Sequence, residues 1–342
     1  MALLFCDSFD HYATAEFPRK YYTVDTSYNT IQSTVKRTGA QAWRGGLTTY
    51  PARIHIPRSN PVIVGAAVNI TGGVNGDLFR FMGGNDTVVN IKHFRGGGVG
   101  ATVYGMSPDN VCWSNSGVMR PNIWHYLEAK VYLHDSAGYI TIKLDGATVA
   151  SVSNIDTLYN YTVADGYMDN IRIESAFISG YTYYDDLYIC DTTGSYCNDF
   201  LGDVRVDVLA PNAVGNSSGF TRLSGSNNYE MVDDTTDCDD DTTYNQANSV
   251  VTDTYNFPAL PHTATSIKAV QIVTQAERTA LAARQLAHVV RRSSTDYASA
   301  DLLLENATYK TQRSIWHTDP STSAAWTQSN LEAAEFGMKI AR

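Results

Sequence analysis

Apolar runs of strand length, bounded by Gly, Pro, Asn and Asp, recur at short intervals through the first half of this chain. They read LLFCDSF, ARIHIP, PVIVGAAVNI, DLFRFM, TVVNIKHF, HYLEAKVYL, GYITIKLDG, NIRIESAFI and DDLYIC. None keeps a helical period, and short runs separated by turn residues specify an all-β antiparallel sandwich or barrel rather than βαβ units. The clearest is GYITIKLDGATVASV, where Tyr139, Thr141 and Lys143 alternate with Ile140, Ile142 and Leu144 before an Asp145-Gly146 hairpin turn. Gly96-Gly97-Gly98 lacks the lysine and helix of a phosphate loop and reads as a tip between two strands.

A chain of 342 residues exceeds one ordinary hydrophobic core, so two domains are expected. The apolar pattern lapses between Asp191 and Asp199 and restarts with FLGDVRVDVLAP, read as the first strand of a new unit. This gives a first domain over 1–195 and a second β domain over 196–342. Residues 211–249 are rich in Asn, Ser, Gly and Asp and are expected to form a long polar loop ordered against a neighbour. Thr274–Val290 is alanine-rich and favours helix, yet it lies between strand-like runs; a hairpin turning near Thr279–Ala282 is expected.

Composition excludes several partners. A net charge of −10 repels a phosphate backbone, so nucleic acid is not an expected partner. The longest apolar run, Pro61–Ile70, is too short for a membrane span, and MALLFCDSFD lacks the basic start of a secretion signal. A protein made and used without export or membrane insertion is expected. Five scattered cysteines do not frame a disulfide scaffold. If Phe5, Phe9, Leu187 and Ile189 face inward, Cys6 and Cys190 lie on the opposite faces of their strands and form the one candidate disulfide; free thiols are the simpler reading.

Two acidic clusters invite a chemical reading. Asp185-Asp186 interrupts the apolar run YYDDLYIC and either binds a metal or catalyses, or marks where a strand leaves the core. In DDTTDCDDDTT, Asp237, Asp239 and Asp241 match the first three ligand positions of a calcium loop, but Thr242 replaces the required Gly and no Glu follows. What remains is a non-standard calcium site or a solvated acidic loop. No carboxylate array on one strand, G-x-S-x-G elbow or paired His spacing supports catalysis, and a non-enzyme is expected. Tyr181, Tyr183, Tyr184, Tyr188, Trp43, Trp113 and Trp124 suit either core packing or sugar stacking.

Two stretches carry a resemblance. WHYLEAKV (Trp124–Val131), ITIKLDG (Ile140–Gly146) and YYDDLYI (Tyr183–Ile189) are similar to the later strands of concanavalin A-like (laminin G-like) jelly rolls. That resemblance implies a jelly-roll sandwich whose final strand DDLYIC returns beside LLFCDSF, followed by a smaller β-sandwich. DFLGDVRVDVLAPN, NNYEMVDDTTDCDDDTTY and DPSTSAAWTQSNLEAAEFGMKI resemble structural proteins of tailed bacteriophages. The implied protein is a non-enzymatic virion component of tail tip, fibre, collar or capsid surface, assembled in the host cytoplasm. Its implied partners are other virion proteins and copies of itself, with host-surface glycan as a further one. The alternatives are a lectin-like adhesin, with or without calcium, and a polysaccharide depolymerase.

Overall fold

The computed structural model describes residues 2–46, 52–72, 75–106, 110–159, 166–174, 180–280 and 282–341. They divide into two compact units, one of Met1–Asp10 with Tyr21–Val206, the other of His11–Lys20 with Asp207–Arg342. Both are built from antiparallel sheets, and the chain is an all-β protein.

The first unit contains β1 (Leu3–Asp7), β2 (Asn29–Gln32), β3 (Ala42–Gly45), β4 (Ala52–Ser59), β5 (Val62–Ile70), β6 (Gly76–Gly83) and β7 (Asp86–Phe94). It continues with β8 (Gly98–Val103), β9 (Asn110–Trp113), β10 (His125–Tyr132), β11 (Gly138–Leu144), β12 (Ala147–Ile155), β13 (Met168–Ile173) and β14 (Thr182–Asp191). An eight-stranded sheet runs β12-β11-β10-β5-β14-β3-β2, with β1 also on β14, and a six-stranded sheet runs β4-β13-β6-β7-β8-β9. This is the concanavalin A-like sandwich. Its last strand lies beside its first, with Phe5 opposite Ile189 and Asp7 opposite Leu187. Asp145 and Gly146 both take positive φ (52° and 82°), the turn that joins β11 to β12 with the natural twist of the strands.

β5 and β14 are buried along their whole length, β5 through a near-continuous apolar sequence and β14 although it carries Asp185, Asp186 and Asp191. Tyr184 on β14 ties the two sheets together. Its ring stacks on Trp43 at 4.8 Å and meets Phe79 of the opposite sheet at 6.3 Å, while its hydroxyl donates to the Glu174 carbonyl. Each such fully buried aromatic contributes roughly 2–3 kcal/mol by removal from water. Gly65 is required where it stands, because a Cβ there would lie 2.1 Å from the Tyr188 ring.

The second unit contains β15 (Ala213–Ser218), β16 (Thr221–Arg222), β17 (Asn245–Gln246), β18 (Thr252–Asn256) and β19 (Val270–Ala276). It closes with β20 (Gln285–Arg292), β21 (Thr295–Ala298), β22 (Leu302–Leu303), β23 (Lys310–Trp316) and β24 (Glu335–Ile340). A six-stranded sheet runs β15-β18-β24-β20-β21 with β22 on β20, and β19 and β23 form a separate ribbon. Val290, Trp326 and Phe336 make the core, against which Val270, Ile272 and Trp316 of the ribbon pack. His288, fully buried on β20, contacts the Ser314 hydroxyl through Nδ1 (2.9 Å) and the Thr274 hydroxyl through Nε2 (3.1 Å). Burial lowers its pKa to about 4.

Three sequence expectations are corrected here. Thr274–Val290 does supply two strands, but not a hairpin: β19 pairs with β23 and β20 with β24, β21 and β22. FLGDVRVDVLAP forms no strand ladder. Its first residues are tied down individually, Gly202 N donating to Glu128 (2.9 Å) and Val206 N to Asp186 (2.8 Å). Residues 211–249 are not wholly loop, since β15 pairs with β18 and β16 with β17. The buried Asp253 gathers this segment, accepting from Phe220 N (2.9 Å) and Asn228 Nδ2 (3.1 Å).

Candidate functional site

The six-stranded sheet of the first unit turns Ile54, Ile171, Phe79, Phe81, Val89, Ile91 and Ala101 toward the sandwich core. Strand alternation then sends the intervening residues to the outer face. The register aligns them in one row: Arg53 lies opposite Arg172, Arg172 opposite Arg80, Arg80 opposite Asn90, and Asn90 opposite Thr102. A second row runs from Asp77 to Lys92, Gly100 and Trp113. Glu174 follows Arg172 by two residues and is 2% exposed.

Like charges on adjacent strands repel, so the three arginines of the first row each require compensation, and they receive it unequally. Arg53 donates to Asn170 (2.9 Å), Asn85 (3.0 Å) and the Gly84 carbonyl, beneath the Tyr22 ring at 5.4 Å. Arg80 pairs with Asp77 through Nε (2.9 Å) and a terminal nitrogen (2.7 Å). Arg172 has a buried Nε with no hydrogen-bond partner among the described residues. Its pKa is lowered by burial, against the attraction of Glu174 and with added repulsion from Arg53 and Arg80.

Glu174 is also incompletely served. Arg80 Nε lies 3.0 Å from its Oε1 but directs its hydrogen to Asp77, leaving that oxygen without an aligned donor. Burial, followed by the neighbouring charges, raises its pKa to about 7. Asn90 Oδ1 is a third buried atom in the patch without a partner. Buried polar atoms without partners are uncommon in folded proteins, and each calls for an explanation such as a bound water, ion or ligand; others in this chain include Arg44 Nε, Asn69 Oδ1 and Glu128 Oε2.

Aromatic planes flank this patch. Trp113, 42% exposed, packs on Phe94 with ring centroids 3.6 Å apart, and Tyr104, 63% exposed, follows Thr102 by two residues. At the other edge Tyr22, 61% exposed, covers Arg53 and His55. β4 and β9 are five strand spacings apart, roughly 24 Å. The face therefore offers stacking surfaces at both ends, with unpaired donors and acceptors between them.

The candidates named from the sequence lie elsewhere. Asp185 and Asp186 sit within β14, at a register shift against β5, and are fully buried. Asp185 accepts from Arg37 N (2.9 Å), Thr38 N (3.1 Å) and Asp186 N (2.9 Å). Asp186, at φ 50°, accepts from the Arg37 guanidinium (2.7 Å), the Thr38 hydroxyl (3.0 Å) and Val206 N. Burial raises both carboxyls, further so for Asp185 through its neighbour. The pair fastens Arg37–Thr38 and Val206 to the sheet and presents no free oxygen to a ligand.

Asp237, Asp239 and Asp241 do not converge, and no group of three metal-ligating side chains occurs among the described residues. Asp239 accepts from Thr243 N and its hydroxyl, and Asp241 accepts from the Tyr309 hydroxyl (3.0 Å). Asp240 holds Arg19 through two 2.6 Å bonds, in a depression of about 340 Å³ whose polar groups largely satisfy one another. Cys6 and Cys190 are not joined in a disulfide: Cys6 stands opposite Tyr188, and Cys190 opposite Leu3. Cys190 Sγ instead contacts the Asp199 carbonyl at 3.8 Å. Of the aromatics, Trp43, Tyr184 and Tyr188 belong to the core, whereas Trp113 reaches the candidate face.

The patch went unread in the sequence although it left a signal. In ARIHIP, DLFRFM, TVVNIKHF and NIRIESAFI a cation stands inside an apolar strand pattern, and the fold lines these four strands up side by side.

No protein-family model matches the chain, and no curated protein does. Solved structures similar to part of it include a cellulose-induced protein, with 16% identity over 47% of this chain and 84% of that one, at TM-score 0.34. A galectin of Caenorhabditis elegans is 15% identical over 43% of this chain and 94% of its own, at TM-score 0.27. A carbohydrate esterase of the Shiga toxin-encoding bacteriophage phi24B is 12% identical over 47% and 86% respectively, at TM-score 0.34.

Proposed function

We propose that this is a non-enzymatic carbohydrate-binding protein whose first unit holds a glycan across the outer face of its six-stranded sheet. One observation carries the reading: among the described residues, buried atoms of Arg172, Glu174 and Asn90 lack hydrogen-bond partners between exposed aromatic planes. Sugars present clustered hydroxyls that both donate and accept, and apolar ring faces that stack on Trp and Tyr, so they match both halves of this surface. A glycan array probed with the full chain is expected to give signals of equal strength with calcium and with chelator, because the acidic run does not gather ligands. Silence throughout overturns the reading. Turnover is not part of it, and release of reducing ends from a bound polysaccharide would count against it.

The setting we propose is a tailed-phage virion, assembled in the host cytoplasm from this chain, further copies of it and other virion proteins. The support is the likeness of Asp199–Asn212, Asn227–Tyr244 and Asp319–Ile340 to phage structural proteins. Antibody labelling is expected to find copies on intact particles; particles bare of label, with a monomeric purified chain, would refute this setting.

A further inference from the structure

We infer that the glycan is an acidic polysaccharide, whose carboxylates are received by Arg172, Arg80 and Lys92. The inference rests on the carbohydrate-binding reading and names its ligand class.

The argument begins with charge. The chain as a whole carries −10, yet this face gathers Arg53, Arg80, Lys92 and Arg172 against Asp77 and Glu174, with Asp169 at the bulge of β13. A site for neutral sugar gains nothing from assembling like charges on neighbouring strands, where they repel. Asp169 is already engaged by Gly84 N (2.8 Å) and the Asn170 amide. Asp77 serves Arg80, with Lys92 further off at 3.6 Å. Among the described residues no acid makes an ion pair with Arg172, whose nearest attracting charge is Glu174 and whose buried Nε has no hydrogen-bond partner.

A half-buried guanidinium whose Nε lacks a hydrogen-bonded partner gains from an anion, and a carboxylate entering in the plane of its fork supplies two charge-assisted bonds. Arg80 and Lys92 retain 28% and 27% exposure and can receive further anions. The three cations stand on consecutive strands β13, β6 and β7, spanning roughly 10 Å. A polymer that carries a carboxylate on successive sugars and crosses the strands meets them in turn, with its ring faces toward Trp113 and Tyr104.

The test uses the full chain in affinity electrophoresis and titration calorimetry. The probes are polygalacturonate, alginate and polysialate, their carboxyl-reduced forms, dextran and a single-stranded oligonucleotide. At least one acidic polymer is expected to bind, its carboxyl-reduced form about tenfold more weakly or worse. Raising sodium chloride from about 50 to about 500 mM is expected to weaken binding further. Arg172→Gln and Lys92→Met should each weaken it by about tenfold, while Lys36→Ala, in the loop between β2 and β3, should not. Circular dichroism and thermal melts accompany each variant, and Lys92→Met decides alone if Arg172→Gln does not fold.

Binding of dextran or reduced polymer as tightly as the acidic one overturns this inference and leaves the glycan reading standing. Silence on every polysaccharide overturns both. Acid binding unchanged in the folded variants, or tighter binding of the oligonucleotide than of any polysaccharide, overturns the inference.

Discussion

Two buried polar clusters of the first unit, one on each sheet, differ in how far they are satisfied, although single unpartnered atoms also occur on the eight-stranded sheet at Thr30, Arg44, Asn69, Glu128 and Thr182. On the eight-stranded sheet, Asp185 and Asp186 are fully buried and accept hydrogen bonds from Arg37, Thr38, Asp186 N and Val206. On the six-stranded sheet, Arg172 Nε and Asn90 Oδ1 are buried without a hydrogen-bond partner among the described residues, and Glu174 Oε1 has an ion-pair neighbour, Arg80 Nε at 3.0 Å, but no aligned donor. Burial and a raised carboxyl pKa occur on both, so neither property separates a structural acid from a site. Satisfaction separates these two clusters: the saturated one fixes loops, and the other lacks hydrogen-bond partners among the described residues.

The largest test of this contrast is Asp186→Ala. It removes one of the two carboxylates on the Arg37 guanidinium, which keeps Asp203 and the Val204 carbonyl, leaves Val206 N without its acceptor, and places a residue without a hydrogen-bonding side chain at φ 50°. A loss of about 3–5 kcal/mol is expected, measured by denaturant unfolding of the first unit. Asp186→Asn keeps the side-chain shape and tolerates left-handed backbone, so it should cost less. A loss below about 1 kcal/mol for the alanine variant would show that saturation there is not structural.

The next effect separates saturated from unsaturated groups by pH. His288 is saturated by two hydroxyls, and burial holds its folded pKa near 4. The unfolded chain therefore binds the proton first as pH falls. Stability is fully present above about 6.5 and is lost toward pH 4, by up to about 3 kcal/mol. No carboxylate is hydrogen-bonded to the imidazolium that would form; its partners are Thr274 on β19 and Ser314 on β23. Hydrogen-exchange protection in β19 and β23, taken relative to the intrinsic rate at each pH, should be lower at pH 5 than at pH 7, and His288→Gln should remove that dependence. Unchanged protection across the range would discard this account.

Glu174 has the reverse sign. Its folded pKa, near 7, is raised above the usual value, so the native state holds the proton longer than the unfolded one. Its contribution to stability is present below about pH 4.5 and lost as pH rises through 7, with Asp77, Arg80 and Arg172 as the charges facing it. Glu174→Gln is expected to be about 1–2 kcal/mol more stable than the parent at pH 8 and level with it at pH 5. A variant less stable at pH 8 would mean that the arginines depend on Glu174 for compensation, and that the patch is saturated after all.

How far these features were legible depends on whether their cause is local. The β11–β12 hairpin was fully readable, because Tyr139–Gly146 contains both the alternation and the turn that closes it. The β1–β14 pairing followed from resemblance, not periodicity. FLGDVRVDVLAP has strand alternation yet no ladder, since alternation reports two environments on either side of a chain and not a neighbouring strand to bond with. β19 and β20 were legible as strands but not as members of different sheets, for the same reason. Asp185-Asp186 attracted notice because two acids stand together in sequence. The cationic row did not, because it takes single residues from four strands between positions 53 and 172, and only register assembles them.

Trp113→Ala is the smallest perturbation and the sharpest separation of function from fold. The indole is 42% exposed at the end of the edge strand β9 and stacks only on Phe94. Its removal should change stability by no more than about 0.5–1 kcal/mol, the range of exposed positions. Glycan affinity should nevertheless fall by about tenfold, since a stacked aromatic contributes on the order of 1 kcal/mol or more to a contact. Phe94→Ala, which loses the support beneath the indole, should reduce affinity as well. If both variants bind as the parent does while Arg172→Gln does not, the stripe acts through charge alone and the aromatic planes belong to the surface rather than to the site.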